Sequence, residues 1–232
     1  LLTTAGDDAL TTASDLETRL AAVALTAPDS ALAQLAADSP LRRHRDAALA
    51  AVAACCRGDS AALDEQLRAI PFRSPYRDLR LILKAILLLG DDRSQAGELI
   101  ARVAADGPFE KLAVVVRTGV LPGSRWLSAL ADLDDEGRVL LLELKGCPEN
   151  RRSLVLELAE LARAGVPPAP ARVVEILLRR NRSVPATAAR LCRRLLPYAD
   201  KRLADYRNAF GPLSEAEGET IMALAAELRR AP

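Results

Sequence analysis

Guanidinium groups are the densest recognition chemistry this sequence offers, and six of them crowd one stretch: Arg179, Arg180, Arg182, Arg190, Arg193 and Arg194. Arginine presents a planar fork of N–H donors that grips carboxylates and phosphates two bonds at a time. The block from 172 to 207 holds ten basic and three acidic residues, whereas the whole chain carries a net charge of only +1. Arg190, Arg193 and Arg194 are spaced to share one helix face, with Leu191, Cys192, Leu195 and Leu196 on the other. An acidic peptide, an acidic face of the same chain or nucleic acid would each meet such a cluster. The plain alternative is a solvated polar face in an arginine-rich chain, since Arg outnumbers Lys 28 to 4. No aromatic interleaves with these arginines to stack bases, which places protein ahead of nucleic acid as the expected partner.

Tyr76 is the second candidate for partner binding. It follows Phe72 and stands among Arg73, Arg77 and Arg80, where a ring at a helix start would anchor a peptide or pack on the preceding hairpin. Trp126, with Leu127, Leu130 and Leu133, reads as core.

The parts of an enzyme are sparse. His44 is the single histidine, flanked by Arg42, Arg43 and Arg45, and is expected in solvent. Cys55, Cys56, Cys147 and Cys192 have no metal-ligand spacing and read as buried free thiols, which favours a cytoplasmic location. Neither glycine-rich phosphate loop, G-x-x-x-x-G-K-[ST] nor G-x-G-x-x-G, occurs. Asp91-Asp92 and Asp134-Asp135-Glu136 lie where helices should begin, so capping accounts for their charge. No catalytic residue, metal site or cofactor is expected.

The elements that must position these residues are all helical. Apolar residues recur at three and four, as in Leu154, Leu158 and Leu161, or Val173 and Leu177 beside Val174 and Leu178. Glycines after Arg57, Leu89, Thr118, Lys145 and Ala164 close apolar runs, and Ser39-Pro40, Ser74-Pro75 and Cys147-Pro148 open them. Ser214 and Glu217 spell a capping box. These marks predict fourteen helices, near 8–26, 30–38, 40–57, 60–70, 75–89, 93–105, 108–118, 123–132, 135–145, 148–164, 168–181, 185–196, 200–210 and 215–230. The helix at 75–89 is apolar nearly all round and should be central. The longest apolar run, Leu81 to Leu89, contains Lys84 and is too short to span a bilayer.

Short connections between successive helices predict antiparallel hairpins stacked as an α-solenoid or superhelical bundle. Residues 1–232 read as one helical-repeat domain: acidic helices in 1–40, regular hairpins in 41–118 and irregular repeats in 119–232. Met222 is the only methionine and the chain opens Leu1-Leu2-Thr3, so a piece of a longer, bacterial-type protein is expected.

Gly58-Asp59 and Gly90-Asp91 lie 32 residues apart, and the first is followed by Ala61-Ala62-Leu63, Leu67, Ile70 and Pro75. Over 41–108 this resembles the tetratricopeptide repeat (TPR), a helix-turn-helix of about 34 residues. The aromatic and Leu-Gly positions of that repeat's first helix are missing, and the second half reads as a HEAT-like or irregular helical repeat. The resemblance implies a surface that holds a peptide or a partner helix. The expected function is therefore a non-catalytic docking scaffold, with a nucleic-acid-binding helical repeat as the alternative.

Overall fold

A computed structural model of the chain describes residues 16–122, 125–163, 170–179, 192, 195 and 203–211, and every regular element among them is helical. The chain divides into two compact units at Leu121 and Pro122. The first contains α1 (described over 16–26), α2 (Asp29–Leu32), α3 (Pro40–Arg43), α4 (Arg45–Cys56), α5 (Ser60–Ala69), α6 (Arg77–Leu88), α7 (Arg93–Ile100) and α8 (Glu110–Val120). The second contains α9 (Arg125–Ala131), α10 (Asp135–Leu144), α11 (Glu149–Arg163), α12 (Pro170–Arg179) and α13 (Leu203–Phe210). No helix among the described residues is long and apolar enough to cross a membrane.

In the first unit α6 is the centre. Leu79, Leu81, Ile82, Leu83 and Ala85 are all buried, and the helix packs against α4, α5, α7 and α8. Only a helix apolar on most of its circumference tolerates four neighbours. In the second unit the three-and-four stripes close on one another: Leu154 of α11, Val174, Ile176 and Leu177 of α12, Tyr206 of α13, and Cys192 between α12 and α13 form one buried cluster. Leu158, Leu161, Val173 and Leu178 pack around it.

Helix ends follow the local chemistry read from the sequence, with instructive shifts. Asp59, Asp92 and Asp134 each accept the backbone N–H three residues on, from Ala62 (3.0 Å), Gln95 (2.9 Å) and Gly137 (2.8 Å). At Gly58 and Gly146 the backbone is left-handed, with φ of 68° and 62°, so that two N–H groups can turn back onto the last carbonyls of α4 and α10. Gly119 does not end its helix. It lies buried inside α8, which runs on to Val120 and stops because Leu121, preceding Pro122, is held extended.

The helix expected at 40–57 is broken in two at His44 (φ −102°, ψ 0°), which closes α3 and opens α4. The helix expected from 75 starts instead at Arg77, with Tyr76 at its N-cap. Phe109 holds the same position before α8, also directly after a proline, 33 residues further on. The expected helix at 30–38 contracts to the single turn of α2, and that at 93–105 ends at Ile100. Gly165, Ser214 and Glu217 lie outside the described residues, as do most of the helices expected at 185–196 and 215–230.

The last carbonyls of several helices are satisfied by arginines from later elements. Arg45 reaches back to the end of α1, where Nε donates to Ala24 O (2.8 Å) and Nη2 to Ala27 O (2.7 Å) and Leu25 O (3.4 Å). Its Nη1 also meets Asp29 at 2.8 Å, but that carboxylate is almost fully exposed and adds little. Arg117 donates to Val103 O beyond α7, and Arg138 to Ala131 O at the end of α9. A guanidinium serves here because its donors fan out in one plane and stay charged. Replacing Arg45 with Ala strips the α1 end of these bonds, and urea denaturation followed by circular dichroism is expected to show a loss of about 2 kcal/mol. Arg45→Lys should recover less than half of it, since an ammonium on a flexible stem cannot span the carbonyls in one fork.

Candidate functional site

The first unit carries an open groove of about 270 Å³ between α5, the turn that follows it, α6 and α7. Leu67, Leu81 and Leu99 supply its apolar lining. Around them stand Arg68, Arg80, Lys84 and Arg102 with one carboxylate, Asp64. Helical spacing explains the set: Arg80 and Lys84 are four apart on α6, so they rise on the one side that the buried face of that helix leaves outward. Asp64 bridges two of the cations, receiving Lys84 Nζ at 2.7 Å and Arg68 Nη2 at 2.5 Å. The hydrogen bond from Lys84, with its charge, holds the Asp64 carboxyl below the usual range.

Phe72 completes the site. The residue is 64% exposed, far more than a core phenylalanine, and the Arg80 guanidinium lies 4.1 Å from its ring centroid. A cation over a ring face holds both side chains in place while leaving apolar surface uncovered.

The sequence-selected residues fare differently. Tyr76 is fully buried, and its hydroxyl donates to Leu41 O at 2.9 Å; burial pushes its pKa up to about 12. Tyr76 therefore packs into the core with its hydroxyl bonded to α3 and presents nothing to a partner, because it stands at the N-cap of α6 with its ring turned inward. The ring that does reach solvent is Phe72, in the same arginine-flanked segment. The signal was present in the sequence: Phe72 lies in the Pro71-to-Pro75 turn, where no helical face requires its burial. Arg179 pairs with Glu157 of α11 at 2.6 Å. Arg180, Arg182, Arg190, Arg193 and Arg194 lie outside the described residues. Trp126 is half-buried, with Lys145 Nζ 5.6 Å from its ring.

His44 is not in solvent as expected. Its Nδ1 lies 3.0 Å from the hydroxyl of Ser74, a buried residue whose oxygen also accepts the N–H of Tyr76. The pair ties the α3–α4 junction to the turn that opens α6. Of the four cysteines only Cys192 is buried, where it belongs to the second unit's core and its pKa is pushed up to about 11. Cys55 and Cys147 are half-buried with raised pKa values, chiefly from desolvation, and Cys56 is exposed. Among the described residues no group of three His, Cys, Asp or Glu side chains is placed to hold a metal ion.

Compared with known proteins, the chain matches no family model, no curated protein and no solved structure.

Two measurements follow from these environments. Burial, then Arg43, lowers the pKa of His44 from 6.5. As pH falls below about 6.5 the unfolded chain takes up a proton that the folded chain resists, so stability drops in that window and is fully recovered above it. The melting temperature should therefore fall more between about pH 7.5 and 5.5 for the native chain than for His44→Gln. In native-state alkylation followed by peptide mapping, Cys56 should be modified first and Cys192 last, because the thiolate must both form and be reached.

Proposed function

We propose that the chain is a non-catalytic docking domain, a helical-repeat scaffold that holds a protein segment or another part of its own chain. The groove of the first unit carries this reading. It combines an apolar lining with an exposed ring pinned by a guanidinium, and such aromatic and arginine anchors are what protein interfaces draw on.

The repeat reading rests on the spacing of equivalent positions. The N-capping aspartates of α5 and α7, Asp59 and Asp92, are 33 residues apart, as are Tyr76 and Phe109 before α6 and α8. Asp92 rather than Asp91 is the cap, so the interval is 33 rather than 32, which supports a reading as a repeat of about 34 residues. Neighbour relations fit as well: α4 packs on α5 and α6 on α7, while α4 meets α6 and α6 meets α8. A succession of that kind, extended as stacked hairpins, leaves furrows between elements along its length. The segment that binds would lie in one of them.

Selection of displayed random peptides on the native chain is expected to enrich sequences with micromolar Kd whose binding is lost in Phe72→Ser. Mixed RNA and DNA, tested at two salt concentrations, should bind weakly and without a steep salt slope. If no peptide is enriched over the Phe72→Ser background while nucleic acid binds steeply, a nucleic-acid module replaces this reading.

A further inference from the structure

Resting on the docking reading, we infer that the groove of the first unit takes an acidic peptide segment carrying an apolar side chain: the apolar group beside Phe72, its carboxylates against Arg80 and Arg102. The charge balance points to this ligand. Four cations border the groove and a single carboxylate, Asp64, answers them. Asp64 is shared between Arg68 and Lys84, whereas among the described residues neither Arg80 nor Arg102 makes an ion pair. A ligand that supplies carboxylates completes pairs the chain itself leaves open, and one that supplies cations adds to an existing excess.

The apolar part of the ligand follows from Phe72. Its side chain is one of the largest exposed apolar groups on the described surface, and the Arg80 guanidinium covers one face of the ring. Leu67 and Leu81 are already buried by the fold, so their contribution is a dry wall against which an aliphatic or aromatic group can rest. A single strand could set its phosphates on the arginines and stack one base on Phe72, but it would leave the leucine wall uncovered. Charge and apolar surface together select an acidic, hydrophobic peptide over nucleic acid.

The test uses the full chain and fluorescence anisotropy at low and moderate salt. The probe is a labelled twelve-residue peptide in which a leucine and a phenylalanine are flanked by aspartates and glutamates. Three comparison probes are the same peptide with lysines for its acids, the same peptide with serines for its two apolar residues, and a twelve-nucleotide polyuridine RNA. The acidic, apolar probe should bind at least tenfold more tightly than each of these. Arg102→Glu and Phe72→Ser, both at exposed positions and checked for native helicity and melting, should each weaken it about tenfold. Arg102→Glu should at the same time tighten the lysine probe, a gain that misfolding cannot produce.

Equal affinity for the acidic and lysine probes, preference for the RNA, or indifference to both substitutions overturns the inference. Failure of the acidic probe, with library-selected peptides still lost in Phe72→Ser, overturns the acidic partner and leaves the docking role standing. Failure of both removes the docking role as well.

Discussion

A protein assembled from short helices has many helix ends, and each end leaves backbone groups without a partner inside its own helix. How those groups find partners governs where each helix can stand. At the starts of α5, α7 and α10 the need is met locally, by aspartates that accept an N–H three residues on. At the finishes it is met partly by left-handed glycines and partly by arginines that arrive from elsewhere in the chain. Arg45 is the fullest case, placing three of its donors on the last turn of α1 while its own helix begins. The same bonds that satisfy the carbonyls also fix where α1 stands relative to α4, so one side chain closes a helix and orients it.

The second organising feature is the division of labour on α6. Most of its circumference is apolar and is covered by four neighbours, which makes it the axis of the first unit. The remaining strip carries Arg80 and Lys84, and these project where α5 and α7 leave a gap. The buried face and the cations that line the groove therefore lie on opposite sides of one element. The groove is held by the packing beneath it, while Asp64 and Phe72 hold the cations from either side. A surface arginine on a mobile stem would lose much of its binding strength to side-chain ordering; one already stacked on a ring has lost that freedom beforehand.

Much of the secondary structure was legible from local chemistry. Asp59, Asp134, Gly58 and Gly146 act at helix ends as their positions suggest, and the stripes at Leu154, Leu158, Val174 and Leu177 meet in a core. What local reading missed came from competition that only packing resolves. His44 was expected in water because arginines surround it in sequence, yet its ring turns to a buried serine thirty residues away. Gly119 was expected to end a helix, but the proline three residues later is the stronger stop, and a glycine buried in α8 costs less than breaking the helix early. Tyr76 and Phe72 stand four residues apart among the same arginines; which ring faces the core depended on where α6 begins, and that was misplaced by two residues.

From the sequence alone, the all-helical class, the chemistry of most helix ends and the central place of the segment around residues 77–88 could be determined, because capping and three-four periodicity act between residues close in the chain. Which arginines serve carbonyls, which meet carboxylates and which border a groove was settled by helix packing. Those outcomes depend on pairs such as Arg45 with Ala24, Lys84 with Asp64 and Arg80 with Phe72, whose separations in the chain range from eight residues to twenty-one. No local spacing encodes such meetings; they follow from how the helices pack.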